Sequence, residues 1–204
     1  AAVLRLSHAG ALVGKSVVNT DVDSYFTALA VDSTTNRLFA AGYIAHEVAV
    51  GKQLLVASFD ESGIPVATFG DGGVVILAKH KPVEAATGIA VQADGCIVVG
   101  GKSNDCAGAC GPDTGGGMDY ATLWRFRPDG TLDPTFGISG WTSDGITGER
   151  PWGLSDPTKT VRPGFYPVGM AMQTDGKVIW AAGLSFGFAG ATAPNYMALA
   201  RFWQ

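Results

Sequence analysis

The sequence predicts an all-β fold: a β-propeller of four-stranded antiparallel blades, with about three blades in this chain, a partial ring or a fragment of a larger propeller. Three observations predict it. The chain repeats itself at a period of tens of residues, each repeat alternates small and large side chains at the same step, and no stretch spaces its apolar residues as a helix would. Units of this kind bury their faces only against their neighbours, so the repeat itself is an architecture.

The first strand of each unit reads Thr27-Ala28-Leu29-Ala30-Val31, Thr87-Gly88-Ile89-Ala90-Val91 and Val168-Gly169-Met170-Ala171-Met172. Period two puts Ala28 and Ala30, Gly88 and Ala90, and Gly169 and Ala171 on one face, with the larger residues on the other. Innermost strands of a propeller converge, so the small face is expected toward the central axis and the large face between blades. A β-sandwich also alternates, yet nothing in it requires small residues at one step of every repeat.

The second strand ends in glycine each time: Leu38-Phe39-Ala40-Ala41-Gly42, Ile97-Val98-Val99-Gly100-Gly101 and Val178-Ile179-Trp180-Ala181-Ala182-Gly183. Asp94-Gly95 and Asp175-Gly176 precede it and read as hairpin residues of type I′ turns. The third strand recurs as Val3-Leu4-Arg5-Leu6, Val56-Ala57-Ser58-Phe59, Leu123-Trp124-Arg125-Phe126 and Leu199-Ala200-Arg201-Phe202. A glycine turn follows at Gly10, Gly63 and Gly130. Thr68-Phe69-Gly70 and Thr135-Phe136-Gly137 then lead through Gly73 and Gly140 into a fourth strand. Arg5, Arg125 and Arg201 share one step and read as scaffold, covering apolar flanks or bonding a neighbouring blade's carbonyls.

These strands divide the single domain 1–204 into units 2–53, 54–120 and 121–196, with a terminal strand at 197–204. The third-type strand opens the sequence and closes it, whereas a self-closing ring completes each strand type once, and three blades fall short of the roughly four to eight of a propeller. The expectation is a segment of a longer polypeptide, or a chain that associates with others to complete a ring.

Ile89-Ala90-Val91-Gln92-Ala93-Asp94-Gly95, Met172-Gln173-Thr174-Asp175-Gly176-Lys177-Val178 and Arg125-Phe126-Arg127-Pro128-Asp129-Gly130-Thr131-Leu132-Asp133-Pro134-Thr135-Phe136-Gly137 resemble the delta-sixty repeat, a bacterial propeller-type repeat of large secreted or surface proteins. Ser58-Phe59-Asp60-Glu61-Ser62-Gly63 with Thr68-Phe69-Gly70 is a looser match. Residues 2 to 33 depart most, since Ala9-Gly10-Ala11-Leu12-Val13-Gly14 has neither the Asp-Gly nor the Phe-Gly pair. The resemblance implies a fold and a location, secreted, periplasmic or at the cell surface, and it implies no reaction.

Composition narrows the partners. Hydrophobic residues make up 47% and charged ones 16%, with a formal net charge of -4 and no basic run, which argues against nucleic acid. Apolar runs such as Val74-Val75-Ile76-Leu77-Ala78 are far shorter than the roughly 20 residues of a membrane helix, so no membrane span is expected. The start, Ala1-Ala2-Val3-Leu4-Arg5-Leu6, lacks the regions of a signal peptide.

Residues outside the repeat are where function would sit. Between Gly101 and Tyr120, Cys106 and Cys110 stand in a glycine-rich loop. They read as a disulfide of an oxidising compartment, with a metal site completed by Asp105, Asp113 or Asp119, or free thiols, as alternatives. Cys96 alternates into a strand and reads as a buried, inert thiol. The insertion Asp144 to Tyr166 carries Trp152, Phe165 and Tyr166, which with Tyr120 could stack on a sugar or anchor a protein; the competing reading is a loop that buries its own aromatics. The apolar insertion Ser185 to Tyr196 suggests a face covered by another subunit. His8, His46 and His80 lack metal spacing, and no nucleophile-elbow, P-loop or zinc-protease motif is present. No catalytic residue, cofactor or metal is assigned.

The expected function is a non-enzymatic secreted or cell-surface scaffold for protein-protein interaction or assembly, its partners being other chains or the remainder of a longer polypeptide. A carbohydrate-binding propeller with a glycan partner is the first alternative. A propeller hydrolase or lyase with carboxylates at the central opening is the second.

Overall fold

The computed structural model describes residues 1–45, 51–77, 83–104, 119–144, 162–173, 175–187 and 195–202. The described residues form thirteen strands and no helix: β1 (Ala2–Leu6), β2 (Leu12–Val17), β3 (Ser24–Val31), β4 (Leu38–Ala45), β5 (Lys52–Phe59), β6 (Val74–Ile76), β7 (Val83–Val91), β8 (Ile97–Asn104), β9 (Asp119–Phe126), β10 (Trp141–Asp144), β11 (Arg162–Met172), β12 (Val178–Gly187) and β13 (Asn195–Phe202). Antiparallel pairing groups them into a β1–β2 ribbon, two four-stranded blades, β3 to β6 and β7 to β10, and a three-stranded sheet, β11 to β13. A single parallel bridge, Lys52 to Val83, links the two complete blades. The repeat expected from the sequence is therefore the β-propeller blade. The unit boundaries after residues 53 and 120 fall inside β5 and β9, so each sequence unit takes strands from two adjacent blades.

One local device recurs in the three innermost strands. The register of β3 slips between Phe26 and Ala28, that of β7 between Ala86 and Gly88, and that of β11 between Pro167 and Gly169. The extra residue is Thr27, Thr87 or Val168, the residue that opens each small/large motif, and such a bulge bends the strand and sharpens its twist. It also explains the glycine opposite it in the second strand, which does not end there as expected but runs on to Ala45 in β4 and Asn104 in β8. A Cβ on Gly42 would sit 1.8 Å from the carbonyl oxygen of Tyr25, and one on Gly101 2.1 Å from that of Ala85, so the bulged backbone leaves room for hydrogen alone.

The hairpin turns differ from the type I′ geometry expected. In five places a residue's N–H bonds to the carbonyl four residues on, and the N–H of the intervening glycine returns to the first residue's carbonyl: Ser7 with Gly10, Asp60 with Gly63, Gln92 with Gly95, Arg127 with Gly130, and Gln173 with Gly176. These glycines have φ between 81° and 86°, while the residues before them, aspartate at 94, 129 and 175, keep negative φ. This is the three-residue loop, a type I turn followed by one left-handed residue. The aspartate has a different task. Asp94 Oδ1 accepts from the Cys96 N–H, and Asp129 Oδ1 from that of Thr131, both at 2.9 Å, so the carboxylate tethers the turn. In the β3–β4 turn Asn36 takes the left-handed place at φ 56°.

The blades stack face to face, and this corrects the expected direction of the small residues. Ala28 and Ala30 of β3 pack against the cluster that contains Ile89 of β7, with Phe39, Val56, Trp124 and Phe126. A Cβ on Gly88 would meet the Cβ of Met170 in β11 at 2.6 Å. Thus the small face of one inner strand receives the large face of the next blade's inner strand, instead of turning toward the axis. Convergence near the hub is solved by pairing small against large across each blade interface. Burial of a Phe or Leu at such an interface contributes about 1.5–3 kcal/mol, which makes these clusters the main stabilising term.

Candidate functional site

The same stacking rule exposes one end of the array. Residues that face the preceding blade are buried within the stack: Phe59 and Phe126 are at 0% exposure and Ile89 is at 7%. At the β1–β2 end their counterparts stand open, with Leu6 at 59%, Leu29 at 55% and Val31 at 63%. Leu4, Leu12, Val13 and Val17 are also exposed there. Scattered apolar residues on a surface are ordinary, whereas these are gathered at one end of the stack.

The geometry behind this exposure is an incomplete sheet. The ribbon supplies a third-type and a fourth-type strand, and it docks on the neighbouring blade by burying Val3 and Val18 with Ala40, Ile44, Leu55, Ala57 and Phe59. Polar contacts hold it there: Arg5 donates to the carbonyl of Glu61, and Ser16 Oγ to that of Gly63. Bonding of Arg5 to a neighbouring blade's carbonyl is the scaffold role its repetition suggested. Within the ribbon Val18 donates to Ala1, and strict alternation in an antiparallel pair then turns the main-chain groups of Ala2 and Leu4 away from β2. Ala2, Val3 and Leu4 line a notch of about 380 Å³ with Phe26, Thr27, Ala28 and Leu29 of β3.

The arginine of the third strand has a second form in the complete blades. Arg125 Nε donates to Asp133 Oδ2 at 2.7 Å and its Nη2 to Asp133 and Thr135, with the guanidinium 5.1 Å from the Phe136 ring centre. Burial alone pushes the Asp133 carboxyl up; the N–H and hydroxyl of Thr135 and the Arg125 guanidinium outweigh it and hold it below the usual carboxylate range. In the other blade Ser58 stands at this step, and the cation comes from the end of the β3–β4 turn instead. Arg37 Nε donates to Ser58 Oγ at 3.2 Å, and its guanidinium lies 5.2 Å from the ring of Phe39 and 6.0 Å from that of Phe69. Its Nη1 reaches the carbonyl of Pro128 in the next blade at 3.4 Å. Sequence reading missed this exchange, although the absence of arginine at 58 and its presence at 37 was the signal.

Of the residues singled out for ligand binding, three fall in described strands. Tyr120 is half-buried in β9 opposite Ser103 of β8. Phe165 and Tyr166 lie in β11, in a different sheet, paired with Leu184 and Gly183. Trp152, Cys106 and Cys110 lie outside the described residues, as do Asp105 and Asp113. Cys96 is buried; burial, then the Asp94 carboxylate, push its thiol up and keep it protonated and unreactive. His8 sits exposed in a turn. Two of the described carboxylates serve turns: the Thr35 hydroxyl and the Thr34 N–H lower the Asp32 pKa, and the Thr131 N–H and hydroxyl lower that of Asp129, whereas Glu84 is buried in β7. Among the described residues no group of three His, Cys, Asp or Glu is placed to hold a metal ion. Among them, too, no helix is long and apolar enough to cross a membrane.

Comparison with known proteins agrees with this architecture and adds no activity. No curated protein matches the chain. Residues 114–136 match a family described as a beta-propeller domain of unknown function (DUF5122). The matched stretch takes in β9, the Gly130 turn and the Arg125, Asp133 and Phe136 contacts, so the chain is similar to a β-propeller repeat where its blade lock is most complete.

Proposed function

We propose that the chain is a non-enzymatic propeller scaffold of the delta-sixty type, working in a secreted, periplasmic or cell-surface setting, whose open end face joins it to other protein chains or to the remainder of a longer polypeptide. The observation that carries this reading is the contrast between Leu6 and Leu29, at 59% and 55% exposure, and their repeat counterparts Phe59, Phe126 and Ile89, which are buried. A repeat unit leaves such a face open where a further blade belongs. The Asp-Gly and Phe-Gly phrases support the repeat type, and the Cys106 and Cys110 spacing supports an oxidising compartment.

Native mass measurement on protein drawn from its own cells tests the reading. These residues are expected in an assembly, or in a polypeptide, larger than the 21.0 kDa of the chain. A native 21.0 kDa monomer would overturn it.

A further inference from the structure

We infer that the notch between β1 and β3 is a strand-addition site that takes up one β-hairpin of the chain's own inner type, its first strand presenting glycine or alanine at alternate positions. The inference rests on the scaffold reading and assigns that reading a specific partner and a specific edge.

Three observations converge on this occupant. The first is hydrogen bonding. The main-chain groups of Ala2 and Leu4 point away from β2, and in the complete blade the corresponding groups of Leu55 and Ala57 are the ones engaged by β4, since Leu54 and Ser58 bond on the β6 side. The open edge of β1 therefore asks for a second-type strand. An extended segment adding to a sheet edge gains main-chain bonds, and side-chain pockets give it selectivity.

The second is shape. Leu29 and Val31 occupy the step held by Ile89 and by Met170 in later blades, and those receive Ala28 with Ala30 and Gly88 respectively. The same interface recurs twice within the molecule, so its chemistry is set: small residues of an incoming first strand over Leu29 and Val31. A bulkier strand would be held off, as a Cβ on Gly88 would be by Met170.

The third is what a second copy would bring. Among the described residues the small face of β11 is open, since none lies within 4 Å of a Cβ on Gly169 and Ala171 is exposed. Its sheet, however, already carries β13 on β12, and β13 is of the same third type as β1. A second copy would place two strands in one position, whereas a bare hairpin leaves β1 where it is.

The test adds to the intact chain a peptide of residues 83–104, which carries Gly88 and Ala90, with Cys96→Ser in the peptide. Binding is followed by NMR titration and by exchange of individual amides. The peptide is expected to slow exchange of the Ala2 and Leu4 amides at least tenfold. Leu29→Asp in the chain is expected to weaken binding at least tenfold. Ile138→Asp, at a site 70% exposed elsewhere, should leave it unchanged, and Gly88→Trp in the peptide should abolish it. Both chain substitutions are at exposed positions, so neither threatens folding. Absence of binding, binding that leaves Ala2 and Leu4 unprotected, or equal affinity for Leu29→Asp would overturn the inference, as would self-association of the chain abolished by Leu29→Asp. If the hairpin fails while the native assembly exceeds 21.0 kDa, the scaffold reading stands and this occupant falls.

Discussion

Gly88 and Gly169 occupy one step of the repeat in opposite surroundings, so a single methyl group tests the stacking of blades. A Cβ on Gly88 would lie 2.6 Å from Met170 Cβ and 3.2 Å from Met170 N, with backbone behind it, whereas one on Gly169 meets no described residue within 4 Å. Neither glycine has positive φ, so alanine is conformationally acceptable at both. Replacing glycine at such a site returns about 0.4–1 kcal/mol by restricting the unfolded chain. Forcing a methyl into a filled interface costs about 1–3 kcal/mol. Gly88→Ala is therefore expected to destabilise by about 0.5–2 kcal/mol, and Gly169→Ala to stabilise by about 0.4–1 kcal/mol. Urea unfolding reads this directly, followed through the fluorescence of Trp124 and Trp180, which are 0% and 1% exposed. Adding Met170→Gly to Gly88→Ala removes the opposing Cβ and should recover part of the loss, a coupling of about 0.5–3 kcal/mol between touching residues. Equal effects of the two alanines, in sign and size, would refute the interface of small against large.

Two further outcomes follow from the turns and the blade lock. Asp133 is held ionised below the usual carboxylate range, so its contribution is present above the unfolded carboxyl value of about 3.9 and is lost as pH falls through the folded value. The urea midpoint should drop on acidification below about pH 5. Asp133→Asn should lower the unfolding free energy by about 1.5–3 kcal/mol at pH 7 and flatten that acid slope. Gly10 has φ 82° with open space around it, so Gly10→Ala should cost about 1–2 kcal/mol from backbone conformation alone. Gly10→Asn should cost roughly half as much, since Asn36 adopts the same region, and differential scanning calorimetry of the pair distinguishes them.

Much of the architecture was legible because it is written several times. The alternation at Ala28 to Val31 and at Gly88 to Val91 gave the inner strands, and Arg125 to Gly137 gave the third strand, its turn and the approach to the fourth. What sequence could not supply was direction. The same alternation serves a small face turned to the axis or to the next blade, and only contacts such as Gly88 with Met170 decide. Asp94-Gly95 fits two hairpin types, which differ in whether the aspartate or only the glycine is left-handed. The Arg37 and Ser58 exchange was hidden because repeat reading compares equivalent steps, while the guanidinium arrived from the β3–β4 turn. The candidate surface was invisible for a related reason: Leu29 looks like Ile89 in sequence, and its exposure depends on which strands lie beside it. Trp152 and the Cys106 and Cys110 pair lie outside the described residues, so those expectations stand where sequence left them.

Paired cysteine accessibility tests the central claim, that one repeated face is buried within the stack and open at its end. Leu29→Cys and Ile89→Cys are compared singly in a background with Cys96, Cys106 and Cys110 replaced by alanine or serine, by the rate of reaction with a thiol reagent. At 55% and 7% exposure, the cysteine at 29 should react at close to the rate of a free thiol and the one at 89 about a hundredfold more slowly, since modification there requires local opening of the blade interface. Comparable rates at the two positions would contradict the account.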